Sequence, residues 1–239
     1  MVVLCRPSMS PEHLVVHKDT HQAHCHDCSR GYNAYDDKRT ALYLLNNVLG
    51  GPGMNSRLNV SLRERRGLVY NVESNLTSYT DTGTFCIYFG CDPADLDYCT
   101  RLVYKELKRL RDVRMTSSQL AAAKKQLIGQ IGVASDNNEN NALGMGKTFL
   151  HYNKCETSEA VFHRIEQLTS EALLEVANEM FAEDYLSTLI YHLTAFFLFE
   201  NLQHRTVLSI LVAVSARRCG QWWRQRHTAS CFRGIRLLS

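Results

Sequence analysis

Apolar positions recur along this chain with two different spacings, and the switches between them outline its elements. After a polar start, "HQAHCHDCSRGYNAY" reads as a strand ending near Gly31. Asp36 and Asp37 then open a helix whose apolar face is Ala41, Leu42, Leu44, Leu45, Val48 and Leu49. Gly50, Gly51, Pro52 and Gly53 stop it. A second, short helix is predicted over about residues 55–66, with Leu58 and Leu62 one turn apart and facing inward. Gly67 stands where a glycine ends a helix, and the arginines before it suit the negative end of the helix dipole. "LVYNVESNLTSY" and "TFCIYFGC" read as two strands joined at "TDTG" in a hairpin.

The clearest helix is "CDPADLDYCTRLVYKELKRLRDV". Asp92 is placed to cap it, Pro93 fits its first turn, and Leu96, Leu102, Val103, Leu107 and Leu110 line one side. Further helices are predicted over residues 115–134, 137–151, 158–168 and 169–181, and "YLSTLIY" is a final strand. Strands and helices do not alternate one for one. The pattern therefore predicts an α+β fold, an antiparallel sheet with helices packed on one face.

Composition changes this picture at one place. The formal charge of the whole chain is +3, too small to imply a nucleic-acid partner. Residues 192–239, however, hold seven arginines against one acid, Glu200, and both tryptophans. The domain is thus expected over residues 1–191, followed by a basic tail. The tail reads either as foreign or out-of-frame sequence after a truncated domain, non-native or disordered, or as a basic amphipathic segment. The abrupt change in charge favours the first. The nine cysteines show no disulfide-like rhythm, and no signal peptide is evident in the opening residues. Reduced thiols in a cytoplasmic protein are the expectation. The apolar stretches near residues 186–199 and 207–216 are too short or interrupted for a membrane span, so no membrane partner is expected.

Several short runs carry candidate chemistry. His21, His24, Cys25, His26 and Cys28 crowd within eight positions. On a strand, however, His24 and His26 point one way and Cys25 the other, against convergence on one ion. "GMGKT" falls short of a phosphate-binding loop, because Asn141 stands where its first glycine belongs. Asn59 and Asn75 begin glycosylation triplets that mean little without secretion. "LRERRGLVY", residues 62–70, sets four charges before Gly67 and Tyr70. By spacing alone, Arg63 is a surface cation at a helix end and Tyr70 a core aromatic.

The ordered run "LLNNVLGGPGMNSRLNVSLRERRGLVYNVESNLTSYTDTGTFCIYFGCDP" resembles the C-terminal domain of the insulinase/pitrilysin family of zinc metallopeptidases, which includes mitochondrial processing peptidase. With the helices after it, the resemblance covers about residues 20–191. It implies one half of a clamshell that closes on an unfolded peptide. The zinc motif His-x-x-Glu-His belongs to the other half, and this sequence contains none. No metal is therefore expected in this chain, zinc is expected in a homologous partner domain, and no catalytic residue is expected here. The resemblance assigns substrate binding to Arg63 and Tyr70, whose guanidinium and phenol would hold a peptide carbonyl beside the partner's zinc. A structural or assembly subunit with no part in proteolysis is the alternative.

Overall fold

A computed structural model describes residues 10–192, apart from positions 19 and 156. The tail beyond residue 192, about which the sequence raised two readings, lies outside the described residues.

The strands are β1 (His13–His17), β2 (Ala23–Gly31), β3 (Val69–Ser78), β4 (Gly83–Cys91) and β5 (Ser187–His192). They form one sheet in the order β1-β5-β2-β4-β3. β2, β3, β4 and β5 pair antiparallel, but β1 runs parallel to β5, from His13 opposite Thr188 to His17 opposite His192. The sheet is thus antiparallel except at this edge, and the polar start of the chain contains a strand. Its signal is weak because half-buried Leu14 and Val16 alternate with exposed His13, Val15 and His17.

Six α-helices accompany the sheet: α1 (Arg39–Gly50), α2 (Leu96–Asp112), α3 (Ser117–Ser135), α4 (Asn138–Tyr152), α5 (Ser158–Glu166) and α6 (Ser170–Met180). Helices α3, α5 and α6 begin at Thr116, Thr157 and Thr169, each of whose hydroxyls accepts a backbone N–H of the first turn. "GMGKT" lies inside α4, a helix rather than a loop.

Period-two alternation gives the sheet one dry face. Phe85, Ile87 and Phe89 of β4 point into it, all fully buried. They belong to one core with Leu42, Leu45 and Leu49 of α1, Val103 and Leu107 of α2, and Val176 and Met180 of α6. Phe85 stacks at an angle on Phe181, centroids 5.1 Å apart. Each such side chain stabilises the fold by about 1.5–3 kcal/mol on burial. Helix α1 approaches β3 closely at Gly50, where a Cβ would come within 2.7 Å of the Ser74 backbone nitrogen. Ser74 fixes the approach by donating its hydroxyl to the Asn46 carbonyl at 3.1 Å.

One acidic side chain sits under this layer. Asp27 of β2 is fully buried and accepts the Thr188 hydroxyl at 2.7 Å. Burial raises its pKa, against hydrogen bonds from Thr188 and Tyr104 and the pull of His13.

Candidate functional site

The segment carrying Arg63 is helical, but wider than an α-helix. Residues Asn59–Glu64 form a π-helical turn, closed by the Arg65 N–H on the Val60 carbonyl at 3.1 Å. The inner side of this segment buries Leu58 and Leu62 completely, as their spacing predicts. Gly67 ends the helix with φ +62°, a conformation that glycine adopts without steric cost. Its N–H closes on the Arg63 carbonyl at 2.7 Å, and the Leu68 N–H on the Leu62 carbonyl at 3.0 Å. These nested bonds satisfy carbonyls that the helix end leaves free.

The four charges of this stretch differ in their surroundings. Arg66 donates back to the Ser61 carbonyl at 2.6 Å. Arg63, Glu64 and Arg65 are exposed. Arg63 has no side-chain hydrogen bond or ion pair among the described residues.

Tyr70 is not a core aromatic. Counting back by twos from buried Ser74 and Val72 would turn residue 70 inward. The strand instead carries a β-bulge: Val69 pairs with Cys91 and Asn71 with the next residue, Gly90. Tyr70 is the extra residue, so Val69 faces the core and Tyr70 is turned out, 58% exposed. Its hydroxyl donates to Asp92 Oδ1 at 3.1 Å. That bond to Asp92 and the carboxylate's charge hold the phenol pKa above its ordinary value.

Asp92 thereby departs from its expected role. Its side chain makes no cap; instead its backbone carbonyl accepts the Asp95 N–H at 3.0 Å, and a 3-10 turn at Pro93–Asp95 leads into α2. Sequence reasoning missed Asp92 as the partner of Tyr70. The ladder carries no signal for it, since antiparallel pairing of residue 69 with 91 sets residue 92 opposite 68 rather than 70. The bond also changes the donor count. A phenol has one proton, and here it is given to Asp92, leaving lone pairs outward.

The histidine-rich strand separates as its alternation predicts. Ala23, Cys25 and Asp27 are buried on the helix-covered face, and His24 and His26 lie on the other. His24 Nδ1 is 2.9 Å from the Tyr88 hydroxyl, and His26 packs on the same ring at 4.8 Å. Burial, then the neighbouring His24, lower the His26 pKa. Among the described residues no group of three or more His, Cys, Asp or Glu side chains is arranged to hold a metal. Cys28 and Cys86 correct the expectation of reduced thiols throughout: they face each other across β2 and β4 and are joined as a disulfide.

With this geometry in place, comparison with known proteins is decisive. Residues 7–127, just over half of the chain, match the family model of the peptidase M16 inactive domain. The chain belongs to the M16 peptidase family. The M16 chain is 31% identical over 185 residues to the uncharacterized zinc protease YmxG of Bacillus subtilis, covering 77% of this chain and 45% of YmxG. A zinc protease of Mycobacterium tuberculosis is 29% identical over 180 residues, 75% of this chain and 41% of its own. The crystal structure of an M16 inactive domain from Pseudomonas fluorescens superposes with TM-score 0.66 at 26% identity, over 79% of this chain and 45% of that one. A Helicobacter pylori protease shares the fold, with TM-score 0.70 at 20% identity over 77% and 44% of the two chains. The chain thus spans less than half the length of these relatives. It carries an M16 inactive domain. No helix among the described residues is long and apolar enough to cross a membrane.

Proposed function

We propose that this domain binds peptide beside a zinc-bearing M16 domain, gripping substrate backbone with Arg63 and Tyr70. The observation that supports the reading is the bulge at Tyr70. A strand that kept its alternation would bury this ring; a displaced register exposes it, at the cost of a ladder position, next to a helix end bearing an unpaired guanidinium. The chemistry of the two groups is complementary. Arg63 donates to a peptide carbonyl, and Tyr70, with its proton held by Asp92, accepts a peptide N–H. Against the partner's active centre, the guanidinium would also stabilise the oxyanion that forms as the carbonyl is attacked.

The test is cleavage of an unfolded peptide by the chain alone, by a zinc-bearing M16 domain alone, and by both. The reading expects chelator-sensitive cleavage only with both present. Arg63→Ala should lower the rate of the pair by about 10²–10³, as expected for loss of one oxyanion donor. Chelator-sensitive cleavage by the chain alone would overturn the assignment. Activity of the pair that ignores Arg63 and Tyr70 would assign this domain a structural role.

A further inference from the structure

The face of the sheet opposite the helices carries chemistry that peptide binding does not use. Antiparallel pairing sets Cys28 of β2 directly opposite Cys86 of β4, with both side chains on that face, joined as a disulfide. Both residues are half-buried rather than sealed. His26, two positions before Cys28, points the same way, and its Nδ1 lies 3.9 Å from Cys86 Sγ. Among the described residues no imidazole makes such a contact with Cys28 Sγ. The two sulfurs are therefore unequal, because only Cys86 has a proton partner. Burial, reinforced by His24 and opposed by Glu73, lowers the pKa of His26, so at neutral pH the ring is uncharged and can take a thiol proton. On the other face Cys25 is fully buried, and burial pushes its thiol pKa up, which keeps it inert.

The bond is not what holds these strands together. All nine residues of β2 pair with β4, from Ala23 opposite Cys91 to Gly31 opposite Gly83, and opening the disulfide leaves that ladder in place. Exchange at a disulfide depends on access and on how readily one sulfur leaves. The pair meets both conditions, and its place in the middle of a five-stranded sheet admits a small molecule more readily than another protein's active site. We propose that Cys28–Cys86 is a reversible exchange site for a small-molecule thiol of the glutathione class, with Cys28 taking the thiol and Cys86 leaving and returning. The small thiolate attacks Cys28 Sγ and forms a mixed disulfide there. The Cys28–Cys86 bond breaks, and Cys86 leaves with the electron pair as a thiolate beside His26 Nδ1. A second small thiolate attacks the small-thiol sulfur of the mixed disulfide and releases Cys28. Two small thiols are thereby oxidised to their disulfide, the protein disulfide gains two electrons, and the two protons end on Cys28 and Cys86. In the reverse direction Cys86 gives its proton to His26 Nδ1, attacks Cys28 of the mixed disulfide and expels the small thiolate, which takes up that proton.

The site does not depend on the reading of Arg63 and Tyr70. It is tested on the full chain in glutathione buffers of rising and falling reduced-to-oxidised ratio, quenched with an alkylating reagent and mapped by mass spectrometry of peptides. The folded chain should open and reclose the Cys28–Cys86 bond as the ratio changes, with exposed Cys155 as the reference for a simple surface thiol. Samples quenched early in the reduction should carry glutathione on Cys28 and the alkyl group on Cys86. His26→Gln should slow opening roughly tenfold and spread the adduct over both cysteines, which a merely structural role of His26 would not do. The wild-type map decides the question by itself where that variant does not fold. Early adducts on Cys86 or shared equally in the wild type, or a folded His26→Gln with unchanged rate and adduct position, would overturn the proposal. So would a bond that glutathione opens only in denaturant, or one that yields to a protein dithiol but not to glutathione.

Discussion

The two ends of one short helical segment, residues 56–66, handle polarity in opposite ways. At its start, Ser56 Oγ and Arg57 Nη1 are buried without a hydrogen-bond partner among the described residues. At its end, Arg63, Glu64 and Arg65 stand in water. Between them Leu58 and Leu62 are fully buried and anchor both ends to the core. Polar atoms at the first end are therefore already withdrawn from water. At the second end the side chains keep their hydration. The same lesson separates Leu62 from its neighbour Arg63: adjacent in sequence, they belong to the fold and to the surface respectively.

The sharpest break of that comparison is Leu62→Ala, which should destabilise the chain by about 2–5 kcal/mol in chemical denaturation. Arg63→Ala should stay within about 0.5 kcal/mol of the wild type. Similar losses for both would mean that Arg63 is a structural residue. Next in size is Gly67→Ala. Nothing lies within 4 Å of an added Cβ, so the cost is that of backbone at φ +62° alone, roughly 1–2 kcal/mol. A variant as stable as wild type would show that the turn between Arg63 and Tyr70 is not held in this conformation.

Much of this was readable from the sequence. Leucines at helical spacing marked α1 and α2, and alternation marked the β3–β4 hairpin, because burial on one face imposes those periods. The separation of His24 and His26 from Cys25 followed from strand geometry alone. Tyr70 was not readable by its period. One extra residue at the bulge inverts the alternation, and a bulge is a property of two strands in register rather than of one. Asp92 was misplaced for a related reason: its cap-like position before Pro93 is local, whereas its bond to Tyr70 crosses between strands. The Cys28–Cys86 pair likewise depends on register, at a sequence separation of 58. β1 escaped notice because an exposed edge strand needs no apolar alternation on its uncovered side.

A smaller, pH-dependent effect separates buried from solvated acids. Burial raises the native pKa of Asp27 above its unfolded value, so the fold penalises the ionised carboxylate relative to the unfolded chain. Its neutral form is compatible with the fold at pH below the unfolded value of about 3.9, and that stability is lost as pH rises through the native value. Asp27→Asn should therefore raise Tm at neutral pH and leave it nearly unchanged near pH 3. An equal shift at both pH values would mean that charge at Asp27 is not the cause.

The most direct test of the central claim is a double-mutant cycle in the reconstituted pair, with kcat/KM for an unfolded peptide measured for wild type, Arg63→Ala, Tyr70→Phe and the double variant. The account predicts that each single change lowers kcat/KM, and that the double variant loses less than the product of the two, because both side chains hold one stretch of substrate backbone. Four equal values of kcat/KM, with the domain still required for activity, would contradict it.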